Sequence, residues 1–296
     1  MTAPDGSALV LNERKRIPVL ALEPALRDLM GTAGVPYEVV PEVGWDDLEE
    51  VLRMSPPSAL VVLDPYAGEP CGALFPRIRD LLRRYPSVPV VAALSLRPEL
   101  AGDLQTLLEW GVSEVLSLGP ECTPRALRAR LRQAHARPFK RAVEAGLSPY
   151  VGGDARVVLR AAAEVAVENG QAPDLARRLG VTTRTLTSRC PRVDLPAPRQ
   201  TQAWMRVLLA CMLLDDPGRT VYSAAYASGY STERSLRRAI TGFLGVDSTA
   251  LRRAGAFATA VAAFNDRLRE VREAGRERRK ARREERQELQ GIGNRE

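Results

Sequence analysis

Ala225-Tyr-Ala-Ser-Gly229-Tyr230-Ser231-Thr232-Glu233-Arg234-Ser-Leu236-Arg237-Arg238-Ala-Ile240-Thr-Gly-Phe243-Leu-Gly245 is the stretch from which the rest of the chain is best read. A short helix carrying Ala225 runs into a turn at Gly229, where glycine punctuates the pattern. A second helix opens on Ser231 or Thr232, either of which can cap its first free amides. On that helix Leu236, Ile240 and Phe243 share one side, while Glu233, Arg234, Arg237 and Arg238 lie away from it. Such a helix can bury one face and hold guanidinium groups out on the other. A recognition helix in a DNA major groove must do the same.

The pattern occurs twice. Upstream, Pro173-Asp174-Leu175-Ala176-Arg-Arg-Leu179-Gly180-Val181-Thr182-Thr183-Arg184-Thr185-Leu186-Thr187-Ser188-Arg189 reads as a helix, a glycine turn and a second helix. Its small core would be Leu175, Ala176, Leu179, Val181 and Leu186. Between the two units, Gln202 to Leu214 reads as one apolar helix that joins them.

Two helix-turn-helix units on one linking helix is the arrangement of the AraC/XylS family, which residues 154–253 resemble. The matching residues are Leu175, Ala176, Leu179, Gly180 and Leu186, then Arg206, Val207, Ala210, Leu213 and Leu214, then Ala225, Gly229, Tyr230, Ser231, Phe243, Gly245 and Arg252. The resemblance implies DNA-facing residues Arg184, Thr187 and Ser188 in the first unit and Glu233, Arg234, Arg237 and Arg238 in the second. Arginine can donate two bonds to guanine, and Glu233 can accept from cytosine; the hydroxyls suit phosphates. There are departures. Asp247-Ser248 stands where the family carries a proline, Leu236 and Ile240 fill positions usually aromatic, and Cys190-Pro191 ends the first recognition helix abruptly.

The N-terminal half has a different rhythm. Apolar runs at 17–22, 37–40, 59–63, 88–93 and 114–118 alternate with helical patterns near 23–31, 44–54, 72–85, 98–110 and 123–136. Leu60-Val-Val-Leu63 and Val88-Pro-Val-Val-Ala-Ala93 are nearly all apolar, as central parallel strands covered on both faces should be. The expectation is a doubly wound five-stranded parallel α/β sheet, with its crevice beyond the strand carboxyl ends near Glu23, Asp64 and Ser95.

Residues 17–136 resemble the receiver domain of bacterial response regulators in the order and spacing of Pro57-Ser-Ala-Leu-Val-Val-Leu-Asp64, Tyr85-Pro-Ser-Val-Pro-Val-Val and Gly111-Val-Ser-Glu-Val-Leu. That resemblance puts Asp64 at the phosphoacceptor position. It also implies paired acids that hold Mg²⁺, of which only Glu23 is present, and a lysine, which is replaced near Leu118. A phosphoryl transfer needs a cation held by several carboxylates to offset the moving charge. The expectation is therefore a degenerate receiver used for dimerisation or sensing. A working receiver phosphorylated on Asp64, with Glu23 helping to hold Mg²⁺, is the alternative.

Charge is unevenly placed along the chain, whose net is +7. Residues 1–149 carry a net of −2, residues 150–253 a net of +6 and residues 254–296 a net of +3. The positive charge thus sits with the paired units, where phosphate attraction would use it. Cys71, Cys122, Cys190 and Cys211 form no CxxC pair and His135 is the one histidine, which points away from zinc and disulfide frameworks and toward reduced thiols in a cytoplasm. There is no nucleophile–base pair and no phosphate-binding glycine loop, so neither an enzyme nor a cofactor is expected. No apolar run is long enough for a membrane span, and the first residues do not form a signal peptide.

The organisation expected is an extension over 1–16, the α/β domain at 17–136, a linker with proline and glycine breaks at 137–153, an all-α domain at 154–253 and a charged helical tail at 254–296. In the tail, Phe257, Val261, Phe264, Leu268 and Val271 form a short apolar seam that Gly275 interrupts, followed by an Arg- and Glu-rich run. The function expected is a regulator that binds double-stranded DNA, forms a homodimer and recruits or blocks RNA polymerase. An adaptor whose units no longer read sequence is a further alternative, motivated by the missing proline and the Cys190-Pro191 boundary.

Overall fold

In the computed structural model the described residues are 16–293, except 42, 68–72, 96 and 120. The first half is a sheet of five parallel strands, β1 (Ile17–Ala21), β2 (Tyr37–Val39), β3 (Leu60–Leu63), β4 (Val90–Leu94) and β5 (Glu114–Ser117), in the order β2-β1-β3-β4-β5. That order is the doubly wound, flavodoxin-like one. Its helices are α1 (Pro24–Gly31), α2 (Leu48–Met54), α3 (Arg77–Arg84) and α4 (Ala101–Trp110), with α5 (Pro124–Gly146) after β5.

Successive side chains of a strand point to opposite faces. Accordingly, Val19, Ala21, Leu60, Val62, Val91 and Ala93 pack with Leu26 and Met30 of α1 and Leu127 and Leu131 of α5. Leu20, Val61, Leu63, Val90 and Ala92 pack the other way, with Leu48 and Leu52 of α2, Ile78 and Leu81 of α3 and Leu107 of α4. Both faces are covered, which is why β3 and β4 are apolar throughout. The helix predicted from 72 begins only at Arg77, with Pro76 at its N-cap.

The second half is all helical: α6 (Gly153–Val167), α7 (Ala172–Arg178), α8 (Thr183–Arg189), α9 (Pro198–Asp215), α10 (Val221–Ala227), α11 (Glu233–Leu244), α12 (Ser248–Ala254) and α13 (Ala256–Gly293), with a 3₁₀ turn at Cys190–Val193. The linking helix α9 is its axis. Thirteen of its residues are buried, and Trp204 sits edge-on to Phe243 of α11 at 4.7 Å between ring centres and tilted against Phe264 of α13 at 5.3 Å.

Two expectations need correction. The proline and glycine breaks at 137–153 predict a linker, but α5 continues through Pro138 to Gly146. The single amide that proline lacks is outweighed by burial: Phe139 and Val143, past the proline, lie in the helical core, whereas Leu127, Leu131 and Ala134, before it, lie in the sheet core. Gly275 does not interrupt the last helix either. It is buried within α13, and a Cβ there would come within 3.2 Å of Asp194 Oδ1, so close approach explains the glycine. The seam it was read to end packs on its own domain, with Phe264 and Leu268 buried and Phe257 and Val261 partly so.

Candidate nucleic-acid interface

Each unit turns on a glycine, and its second helix opens on a threonine cap. In the first, Thr182 Oγ1 accepts from the Thr185 amide at 3.1 Å and starts α8, while Gly180 takes φ +66° between the helices. In the second, Thr232 Oγ1 accepts from the Ser235 amide at 3.1 Å and Ser235 Oγ returns a contact to the Thr232 amide, closing a capping box at the head of α11. Gly229 takes φ +78° in the turn, and a Cβ there would meet Asn169 Oδ1 at 2.9 Å and Arg206 Nη2 at 3.0 Å.

Arg206 is a residue that motif reading used only as a match. It reaches from α9 across this turn: its Nε donates to Ser228 O at 2.9 Å and its Nη2 donates to Gly229 O. The guanidinium lies 4.6 Å from the centre of the Tyr230 ring. One side chain therefore satisfies carbonyls left over at the end of α10 and fixes the angle at which α11 leaves.

On α11, Leu236 and Ile240 are fully buried and take up the core positions without aromatic rings. Arg234 and Arg238 project from the opposite face, exposed, with no hydrogen-bonding or ion-pair partner among the described residues. Glu233 and Arg237 are different. Arg237 Nε donates to Glu233 Oε1 at 2.9 Å, and its Nη1 donates to the buried Ser248 Oγ at 3.0 Å. The four candidates of this helix thus separate into two free guanidiniums and one internal pair.

Asp247, of the Asp247-Ser248 pair that stands where the family carries a proline, caps α12: its Oδ1 accepts from the Thr249 and Ala250 amides at 2.7 and 3.0 Å. Those bonds hold its carboxyl below the ordinary aspartate value. The departure is thus a change of helix-start device, from a ring with fixed φ to a side-chain acceptor.

The first unit is chemically thinner. Leu186 is buried, and Arg184, Thr187 and Ser188 are exposed on α8. Yet Thr187 Oγ1 donates to Thr183 O at 2.8 Å and Ser188 Oγ donates to Thr185 O at 2.9 Å. Both hydroxyl protons are turned into their own helix, which leaves Arg184 as the one candidate there with outward-facing donors.

Residues 175–254 match the family model of a helix-turn-helix domain. The domain is of the AraC type. The match runs from α7 to α12, so the AraC-type domain has α6 and α13 packed on its linking helix from outside the matched residues. No curated protein and no solved structure matches the chain at a significant level.

In the α/β half, Glu23 and Asp64 meet at the β1/β3 switch point. Glu23 Oε2 accepts from the Asp64 amide at 3.1 Å, and Asp64 Oδ1 accepts from the Tyr66 amide at 3.0 Å. Burial pushes the Glu23 carboxyl up, although the Asp64 amide pulls the other way. Tyr66 OH donates to Asp103 Oδ2 at 3.0 Å. Among the described residues no three His, Cys, Asp or Glu side chains cluster as a cation would require. The two acids serve as backbone acceptors, and among the described residues no third acid joins them where the receiver resemblance implies a set that holds Mg²⁺.

Among the described residues no helix is long and apolar enough to cross a membrane. Cys122, Cys190 and Cys211 are free thiols, and burial raises Cys190 to about 11 and Cys211 to about 12.

Proposed function

We propose that the chain is a sequence-reading transcription regulator of AraC-like type. The observation that supports this most directly is the bare pair Arg234 and Arg238 on a capped helix, in the matched domain, beside an ion pair that keeps Glu233 and Arg237 occupied. Two guanidiniums one helical turn apart suit guanine edges in a major groove, while Arg184 suits a phosphate in the neighbouring groove and Thr187 and Ser188, whose hydroxyl protons are held by their own helix, line that surface. With α9 setting their spacing, the units enter grooves about one helical turn apart, roughly 34 Å, so that a monomer spans two half-sites and a homodimer two such pairs. RNA polymerase, recruited or blocked, is the downstream partner in this reading.

The α/β domain acts without phosphoryl transfer in this reading, because Glu23 and Asp64 are already used as backbone acceptors. Its role is dimerisation or signal sensing. Acetyl phosphate with Mg²⁺ tests this point: a labile phosphoryl group on wild type that Asp64→Asn lacks would restore the working-receiver alternative.

The deciding experiment is selection of bound fragments from a genomic library near physiological salt, run beside Arg234→Ala/Arg238→Ala. A common motif enriched by wild type and lost in the double variant supports sequence reading by α11. Recovery of the same unselected fragments by both proteins would leave the adaptor reading in its place, with affinity that falls steeply with salt and follows no sequence.

A further inference from the structure

The loop between α9 and α10, at the root of the second unit, reaches into the α/β domain. Asp216 there accepts twice from Ser87, whose amide donates at 3.2 Å and whose hydroxyl also donates. Arg219 Nη1 donates to Ser55 O just past α2, and Arg252 of α12 donates back to Arg219 O. Between the two, Gly218 takes φ +77°, and a Cβ on it would lie 2.7 Å from Arg53 Cγ. Asp216 and Arg219 are 3% and 4% exposed, so the contact is buried.

The cluster is also incompletely satisfied. Arg219 Nε and Nη2 and the Tyr85 hydroxyl are buried without a hydrogen-bond partner among the described residues. The Asp216–Arg219 approach, 4.0 Å from Oδ2 to Nε, is at the outer limit of an ion pair and compensates little. Burial accordingly pushes the Asp216 carboxyl up to about 6 despite its bonds from Ser87. A permanent joint would be more stable if built from apolar groups; a half-satisfied polar one lies close in energy to its open state.

The other attachment between the halves is α5, which leaves the sheet core after Ala134 and enters the helical core at Phe139. Pro138 lies between, where the Ala134 carbonyl loses its helical donor and a helix bends most easily. The α/β domain is thus carried on α5, which packs on α6 and α9, and touches the second unit through the 215–219 loop.

We propose that this loop is a reversible latch by which the α/β domain, pivoting at Pro138, braces the second helix-turn-helix unit against the first and so sets how tightly both engage DNA together. The proposal rests on the DNA-binding reading and adds its regulation. A closed latch pre-organises the two recognition helices; an open one leaves each able to bind but makes their joint docking unfavourable. A ligand that prefers the open or the closed position of the α/β domain shifts DNA affinity, and DNA shifts that ligand's affinity by the same factor.

The test uses the full chain as wild type, Asp216→Ala and, from the other side of the contact, Ser87→Ala. Hydrogen–deuterium exchange is followed at 85–88 and 215–220. Affinity is measured for a wild-type-selected fragment, whole and cut to a single half-site. Exchange is expected to rise in both variants. Affinity for the whole fragment falls about fivefold or more, and that for the single half-site stays within about twofold. Unchanged or tighter binding of the whole fragment overturns the proposal. An equal fall on the single half-site also overturns it, since the unit itself is then damaged. Should Asp216→Ala not fold cooperatively, Ser87→Ala decides alone. A wild type that selects no fragment fails the DNA reading itself, and the proposal with it, before any variant is compared.

Discussion

Arg206 lies over the ring of Tyr230, 4.6 Å from its centre, while its guanidinium holds the Ser228 and Gly229 carbonyls. The linking helix therefore fixes the turn of the second unit directly, rather than only carrying it. Removing the side chain leaves two carbonyls unanswered and a tyrosine face uncovered. Arg206→Ala is expected to lower unfolding stability by about 2 kcal/mol. Arg206→Lys should recover less than half of that, because an ammonium cannot serve both carbonyls and stack. Urea unfolding of the three proteins checks this, and a fully restored lysine variant would show that charge alone suffices.

Arg237 should behave unlike its neighbours. Its guanidinium is committed to Glu233 and to Ser248, so Arg237→Ala mainly loosens the α11–α12 junction, by about 0.5–1.5 kcal/mol. The selected DNA motif should survive that change. Arg234→Ala or Arg238→Ala should instead weaken binding by about 1–3 kcal/mol at particular base positions and hardly alter stability. Parallel motif selection and thermal unfolding separate the two behaviours.

Asp247-Ser248 stands where the resemblance implies a proline at the start of α12, and the worth of the Asp247 cap can be measured. Asp247→Ala removes an acceptor shared by two amides and should cost about 1 kcal/mol. Asp247→Pro withdraws the same acceptor without supplying the ring at the position where α12 begins, so it should be no better. A proline variant as stable as wild type would show that the cap carries no net stability.

Two buried groups give opposite responses to acid. Burial raises Asp216 from 3.8 to about 6, so its contribution to stability is most favourable below 3.8 and is lost as pH rises through 6. Burial lowers His135 from 6.5 to about 4, so its contribution is intact above 6.5 and is lost as pH falls through that interval. Between pH 7.5 and 4, wild type should gain stability relative to Asp216→Asn and lose it relative to His135→Leu, each by up to about 3 kcal/mol. Denaturant unfolding at four pH values reads both slopes, and equal slopes for wild type and either variant would rule out that group as their source.

How much of this was legible in the sequence differs from part to part for physical reasons. β3 and β4 announce themselves because strands buried on both faces have no polar alternation to dilute the signal. Both helix-turn-helix units are local, with caps, glycine and apolar spacing all within a few residues. The continuity of α5 is not local. Pro138 reads as a break, and only the packing of Phe139 and Val143 on a distant core shows why the helix survives it. The pairing of Arg237 needed Ser248 from the next helix, and the placement of Glu23 and Asp64 as backbone acceptors needed the loop after β3. Asp215-Asp-Pro-Gly218 reads as an ordinary turn, since nothing within a turn says what lies across from it.

The unbroken α5 also bears on how the protein can be divided. A fragment begun at residue 154, where the helical domain starts by its motifs, would lack Phe139, Val143, Leu147 and Val151 and so leave a hole in the core around α6 and α9. One ended at 136 would keep its sheet covered but carry the stump of a helix with no second half to dock on. Neither half is a detachable cassette. Recombining this DNA-reading part with a different N-terminal domain would require the splice to fall inside α5 itself, in helical register, so that what is inherited across the joint is an angle as well as a sequence.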